Sequence, residues 1–181
     1  ETLRGKMVDG ILISPVSYTQ SLRDFPAALN VVCFDRYVDR NRIVSVSIEN
    51  YEVGRRLAEE MLKAGSRQPL FLGGNTNDIT NRCRLNGLRD FFHEQNIHIS
   101  DDDVIFGIYQ EEQAYEAVRR KAEQTKAYDS FFLTTNHFIY GVIYAVAKYS
   151  LKIKSIAGFE DFLGRNFIIK QVQYRLIFAI Q

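Results

Sequence analysis

Arg82 and Arg84 stand two residues apart in NRCRLNGLRDF, where Leu85, Leu88 and Phe91 recur at every third position. That period predicts an amphipathic helix with both arginines near its start. A cation at that end opposes the helix dipole, at a cost of about 0.3–1 kcal/mol each. A hydrogen bond to a charged group is worth about 1.5–3 kcal/mol. An arginine is therefore tolerable there if its guanidinium turns into a cleft and meets hydroxyls or carboxylates.

Other polar side chains follow short apolar runs in the same manner. Asp35 and Arg36 come after VVCF, Tyr109 after DVIFGI, Asn136 and His137 after SFFLTT, and Glu160 and Asp161 after SIAGF. Guanidinium, carboxylate, carboxamide and aromatic ring together suit a neutral polyol, with paired donors and acceptors for hydroxyls and a flat face for stacking. Each residue also has a plainer reading. Arg82 fits a solvated helix surface, Thr135 and Asn136 fit helix caps, Tyr109 fits a cover over the core, and Glu160 and Asp161 fit turn acids. His137 is assigned no role. The case rests on the group, because all of these positions fall at strand ends.

Catalytic patterns are missing. FLGGNTND lacks both the G-x-G-x-x-G spacing and the G-K-[ST] ending, and no G-x-S-x-G turn occurs. HEQNIH spaces its histidines by five residues, which breaks the one-face geometry of a zinc helix. No catalytic residue, metal ligand or cofactor is assigned, and an enzyme is not expected.

Positioning these residues requires strands and helices in alternation. MVDGILISPV reads as a strand, SLRDFPAAL as a short helix or turn, NVVCF as a strand and RIVSVSI as extended. ENYEVGRRLAEEMLKAG reads as a helix through Val53, Leu57 and Met61, stopped by Gly65. From Pro69 to Phe159 the order is β-α-β-α-β-α-β: PLFLGG, the arginine helix, DVIFGIY, EEQAYEAVRRKAEQ, DSFFLTT, FIYGVIYAVAKY and KSIAGF. Uniformly apolar strands in such alternation imply a parallel sheet covered by helices on both faces. Ligands of open sheets of this kind bind beyond the carboxyl ends of the strands, where the polar residues fall. The final FIIKQVQYRLIFAIQ reads as an extended crossing followed by the opening of a helix.

The totals agree. With 46% hydrophobic and 25% charged residues the chain is an ordinary globular one, and no apolar run approaches the roughly 18 residues of a membrane span. A net charge of +1 leaves no electrostatic footprint for nucleic acid in this segment. The two cysteines are too few for a disulfide framework, so Cys33 reads as a small buried hydrophobe.

Several phrases, in order, resemble one family: VDGILISP, VVCFDR, VSVSIENYEVGRRLAEEMLKAG, PLFLGG, RCRLNGLRDF, TTNHFIYGVIYAV and IAGFEDF. The chain resembles the effector-binding core of LacI/GalR transcriptional regulators, whose fold is shared with periplasmic sugar-binding proteins. The resemblance implies a two-lobed α/β fold of parallel sheets flanked by helices, with the first lobe incomplete in this chain. Residues 1–47 would be part of the N-terminal lobe, 48–168 the C-terminal lobe, and 169–181 a segment crossing back to the first. Strands crossing between lobes would lie near Val46 to Glu49 and Lys170 to Tyr174.

By the same resemblance Asp35, Arg84, Tyr109, Asn136 and Glu160 would bind the ligand, with Arg36 and Arg82 beside them. His137 stands where the family carries Asp, and Glu160 where it carries Asp, so the hydrogen-bonding pattern of the pocket would differ. The implied function is a cytoplasmic, sugar-responsive regulator, acting as a homodimer and binding operator DNA through a helix-turn-helix module that this chain lacks. The rival is a periplasmic sugar-binding protein of a transport system. Neither reading places the chain in a membrane.

Overall fold

The computed structural model describes residues 8–15, 30–35, 43–124, 127–159 and 175–179. SLRDFPAAL, Arg36, Glu160 and Lys170 to Tyr174 lie outside them. Two parallel sheets result. The first holds β1 (Gly10–Ile13), β2 (Asn30–Phe34) and β3 (Val44–Val46) in that order. The chain then runs through residues 47–49 into α1 (Asn50–Lys63).

The second sheet is the larger. It comprises β4 (Pro69–Leu72), β5 (Val104–Ile105), β6 (Ser130–Leu133), β7 (Ser155–Phe159) and β8 (Arg175–Ala179), in the order β5-β4-β6-β7-β8. Its connecting helices are α2 (Ile79–Glu94), α3 (Glu111–Ala122) and α4 (Ile139–Lys148). Every pairing is parallel. From β4 the chain moves outward to β5 and then crosses back to β6 on the other side of β4. The carboxyl ends of β4 and β6 therefore flank a topological switch point, where such sheets open a crevice.

Alternation along the strands divides the core in two. Leu70, Leu72, Phe131, Leu133 and Ile156 face α3 and α4, where they pack with Ala114, Val118, Val142 and Ala145. Phe71, Phe132, Ala157 and Phe159 point the other way, onto Leu57, Met61, Leu85, Leu88 and Phe92 of α1 and α2. Burial on both faces explains why the strands read as continuous apolar runs. Full burial of a side chain such as Leu88 or Phe92 contributes about 1.5–3 kcal/mol, which anchors α2 firmly.

The packing of α1 on α2 is closer still. A Cβ on Gly54 would lie 2.4 Å from the Arg84 carbonyl oxygen, and one on Gly87 would lie 2.2 Å from that of Tyr51. Only glycine lets the backbones meet at this distance. The end of α1 is set by Gly65 at φ +91°, with Gly65 N–H donating to Leu62 O and Ser66 N–H to Met61 O. These two bonds form a Schellman cap.

Two elements differ from the sequence reading. The strand expected over DVIFGIY is confined to Val104–Ile105, preceded by a 3-10 turn at Asp101–Asp103 and followed by Gly107 at φ +83°. Beyond it, Gly107 N–H still bonds to Gly74 O and Ile108 N–H to Gly73 O, so the chain follows β4 without a regular ladder. The second difference is Arg175–Ala179, which was expected within the crossing segment 169–181 that returns to the first lobe and opens a helix. It instead pairs with Ser155–Phe159 as the outer strand of the second sheet. The apolar run RLIFA carries no helical period that would resist this pairing.

Candidate functional site

Arg84 is the sixth residue of α2, and its side chain is buried at 7% exposure. Its Nε donates to Asn50 Oδ1 at 2.8 Å and its Nη1 to the Thr134 carbonyl oxygen at 2.8 Å. The guanidinium carbon lies 3.5 Å from the centroid of the Phe159 ring, a cation–π contact. Asn50 opens α1, Thr134 follows β6 and Phe159 ends β7. One side chain thus ties together a helix start and two strand ends beside the switch point. The unfavourable placement near a helix N-terminus is offset by these bonds.

Asn50 is itself buried, and its Nδ2 donates to Ile48 O at 3.1 Å. Asn50 is not among the residues that the sequence singled out. Its place before a helical period marks a helix start and gives no sign of a contact 34 residues away.

The remaining expected residues spread along the same edge. Tyr109 follows β5 and is 61% exposed, and its backbone N–H donates to Gln113 Oε1 at 2.8 Å. Gly74, just past β4, faces both Tyr109 and the Asn81 amide: a Cβ there would lie 3.9 Å from Tyr109 Cε1 and 3.6 Å from Asn81 Nδ2. Asn81 is buried and donates to Asn75 O at 3.1 Å, which shapes the loop before α2. Asn136 is half-buried at the start of a 3-10 turn, while the capping contact there belongs to Thr135, whose hydroxyl accepts from His137 N–H.

Arg82 is exposed on α2, away from the buried position of Arg84. Asp35 ends the strand region of β2 in the first sheet, exposed and at φ 67°, with its N–H donating to Val46 O at 2.9 Å. A left-handed backbone is uncommon outside glycine, though Asp tolerates it better than most residues. Arg36 and Glu160 fall outside the described residues. Among the described residues, no group of His, Cys, Asp or Glu side chains could hold a metal ion, and no helix is long and apolar enough to cross a membrane.

Chemically, the second-sheet edge offers a fixed cation, a half-buried carboxamide and an exposed tyrosine packed near Gly74. Such a set can orient a small polar molecule and stack on one face of it.

A family profile described as periplasmic binding proteins and sugar binding domain of LacI family matches residues 1–159. The HTH-type transcriptional repressor PurR of Haemophilus influenzae is 25% identical over 173 residues, covering 92% of this chain and 51% of the relative. PurR of Pasteurella multocida is 24% identical, covering 92% and 52%. The chain thus spans about half the length of the curated relatives it matches. Among solved structures, a sugar-binding transcriptional regulator of the LacI family from Escherichia coli, complexed with phosphate, superposes with a TM-score of 0.77 at 18% identity, covering 92% of this chain and 62% of that one. Transcription regulator CcpA of Lactococcus lactis gives 0.74 at 20% identity, covering 87% and 59%. At these identities the structural likeness speaks for the fold.

Proposed function

Since the chain belongs to the family of periplasmic binding proteins and LacI-type sugar-binding domains, we propose that it is the effector-binding core of a sugar-responsive transcriptional regulator. A small polar effector, a sugar or sugar derivative, binds between two lobes. The first is built on β1–β3 and the second on the five-stranded sheet through β8. Ligand contacts come from Asp35 on the first lobe and from Arg84, Tyr109, Asn136 and Glu160 on the second, with Arg36 and Arg82 beside them. The protein binds its ligand without turning it over.

The observation that carries this reading is the buried Arg84 guanidinium at the switch point, fixed by Asn50, Thr134 O and Phe159 while Tyr109 stands exposed on the same edge. A preorganised donor beside an exposed ring serves recognition, because little ordering remains to be done when a ligand arrives. Support for the regulatory role comes from the curated relatives, which are named as HTH-type transcriptional repressors. Support for the ligand class comes from the solved regulator described as sugar-binding. In the full protein, binding shifts an open–closed equilibrium of the lobes and is coupled to operator binding by a helix-turn-helix module in a cytoplasmic homodimer. Coupling of this kind is typically worth about 1–3 kcal/mol.

The test uses the intact protein and two measurements. Calorimetry against pentoses, hexoses, their phosphates, nucleosides and nucleobases should yield one class that binds. Selection of genomic DNA fragments should yield a site whose affinity changes when that compound is added. Binding of a sugar with no DNA retained would reassign the protein to transport. Binding of no compound in the panel would remove the proposed ligand class.

A further inference from the structure

The segment from Val46 to Asn50 is the described link between the two sheets, and the Asn50 side chain bonds in two directions from it. Backward, Asn50 Nδ2 and the Asn50 N–H both donate to Ile48 O, at 3.1 and 2.8 Å. Forward, Asn50 Oδ1 accepts from Arg84 Nε at 2.8 Å. Arg84 continues the chain of contacts to Thr134 O and the Phe159 ring, at the ends of β6 and β7. The first turn of α1 completes the joint, with Val53 N–H donating to Glu49 O at 2.9 Å.

We propose that Asn50 is a positioning residue that acts through Arg84, joining the link between the sheets to the cleft edge, so that whatever engages Arg84 also moves or stiffens residues 46–50. Two features make the joint rigid enough to transmit. Asn50 and Arg84 are both buried, so their hydrogen bond is shielded from competing water. The backbone of Arg84 is pinned against Gly54 on the next turn of α1, which leaves the Arg84 side chain and Asn50 as the movable parts. The coupling rests on the proposed effector site only for the identity of the molecule that engages Arg84.

Hydrogen exchange of the intact, ligand-free protein tests it. Asn50→Ala removes the acceptor, and exchange of the amides at 48–53 should accelerate about tenfold, as expected when a bond to a charged group is lost from a locally opening segment. Asn50→Asp keeps an acceptor for Arg84 Nε while losing the donor to Ile48 O, and should restore most of the protection. Arg84→Lys should accelerate the same amides, and adding it to Asn50→Ala should bring little more, since both changes break the same Asn50–Arg84 bond. Amides of α3 should stay within about twofold throughout, as an independent region of local stability. Acceleration spread equally over α3 would overturn the proposal, as would unchanged exchange at 48–53. Asn50→Asp behaving like Asn50→Ala would overturn it too, by assigning the protection to the Ile48 bond. No effector is needed, so failure here falls on the coupling, and a blank ligand panel falls on the proposed effector class.

Discussion

At the amino-terminal edge of the five-stranded sheet the polar groups close single loops upon themselves; at the carboxyl edge one buried guanidinium joins a helix start to two strand ends. On the first edge the buried hydroxyls of Ser66 and Ser155 bond to each other at 2.8 Å. The Asp129 carboxylate accepts from Arg67 N–H, Gln68 N–H and the Ser130 hydroxyl, all within 2.9 Å, and Lys154 Nζ donates to Gly65 O. These bonds close the loops that enter β4, β6 and β7 upon themselves. On the second edge Arg84 is fixed by equally good bonds, and the same edge carries the exposed Tyr109 beside Gly74. Buried polar groups occur on both edges, so burial of polarity alone does not mark a site. What distinguishes the carboxyl edge is a rigid cation on the same edge as an exposed tyrosine.

The largest expected effect breaks that comparison directly. Arg84→Ala leaves the Asn50 and Thr134 oxygens without a donor and strips the cation from Phe159. Unfolding by urea should show a loss of about 2–4 kcal/mol. Affinity for the bound panel compound should also fall at least about tenfold in calorimetry. A loss of stability with affinity unchanged would move Arg84 into the company of Ser66 and Asp129, as framework only.

Asp129→Ala is the reciprocal change, and its expected effect is smaller. It removes a carboxylate acceptor from two backbone N–H groups before β4, costing about 1–3 kcal/mol by the same urea assay. Ligand affinity should stay within about twofold of the parent protein, since the two edges lie at opposite ends of the strands. A weakened ligand would mean that the amino edge is coupled to the cleft and that the distinction between edges fails.

Much of this contrast could be read from the sequence, and the exceptions have physical causes. The β-α alternation was legible because strands covered on both faces are apolar throughout, and because Val53, Leu57 and Met61 repeat with a helical period up to Gly65. That Arg84, Tyr109 and Asn136 fall at the carboxyl edge was legible because each comes after a strand. Asn50 was not, because its carboxamide matters through a bond to Arg84 that only tertiary packing creates. Arg82 and Arg84 looked alike in sequence, and the helix phase separates them: two residues apart on a helix is about 200°, so one is buried while the other is exposed. The short β5 and the pairing of β8 were likewise decided elsewhere, by the Gly107 backbone and by the open edge of β7.

Tyr109 sharpens the comparison from the ligand's side. Tyr109 is 61% exposed, so Tyr109→Ala should leave stability unchanged. Lost stacking should weaken the ligand by about 0.5–1.5 kcal/mol, roughly two- to tenfold in calorimetry. Tyr109→Phe keeps the ring and should retain the parent affinity. If Phe weakens binding as much as Ala, the hydroxyl is the contact and the ring is not a platform.

The smallest effect concerns the flank that carries Arg84. Arg55 of α1 and Glu94 of α2 form a two-point ion pair, with Nη1 to Oε1 at 2.9 Å and Nη2 to Oε2 at 2.7 Å. The hydrogen bonds from Arg55 hold the Glu94 carboxyl below its ordinary value, with further lowering from the charges of Arg55 and His93. A carboxyl depressed in the folded state contributes stability above its unfolded pKa and loses it as pH falls through the folded value. Glu94→Gln should therefore be slightly less stable than the parent at pH 7, and the gap should close as acid titrates the parent carboxylate below about pH 4. Because the pair is exposed to solvent, added salt should narrow the gap at pH 7 as well. A gap that persisted at pH 3 would show that Glu94 holds α2 through packing, and its charge could then be removed without loosening the helix that presents Arg84.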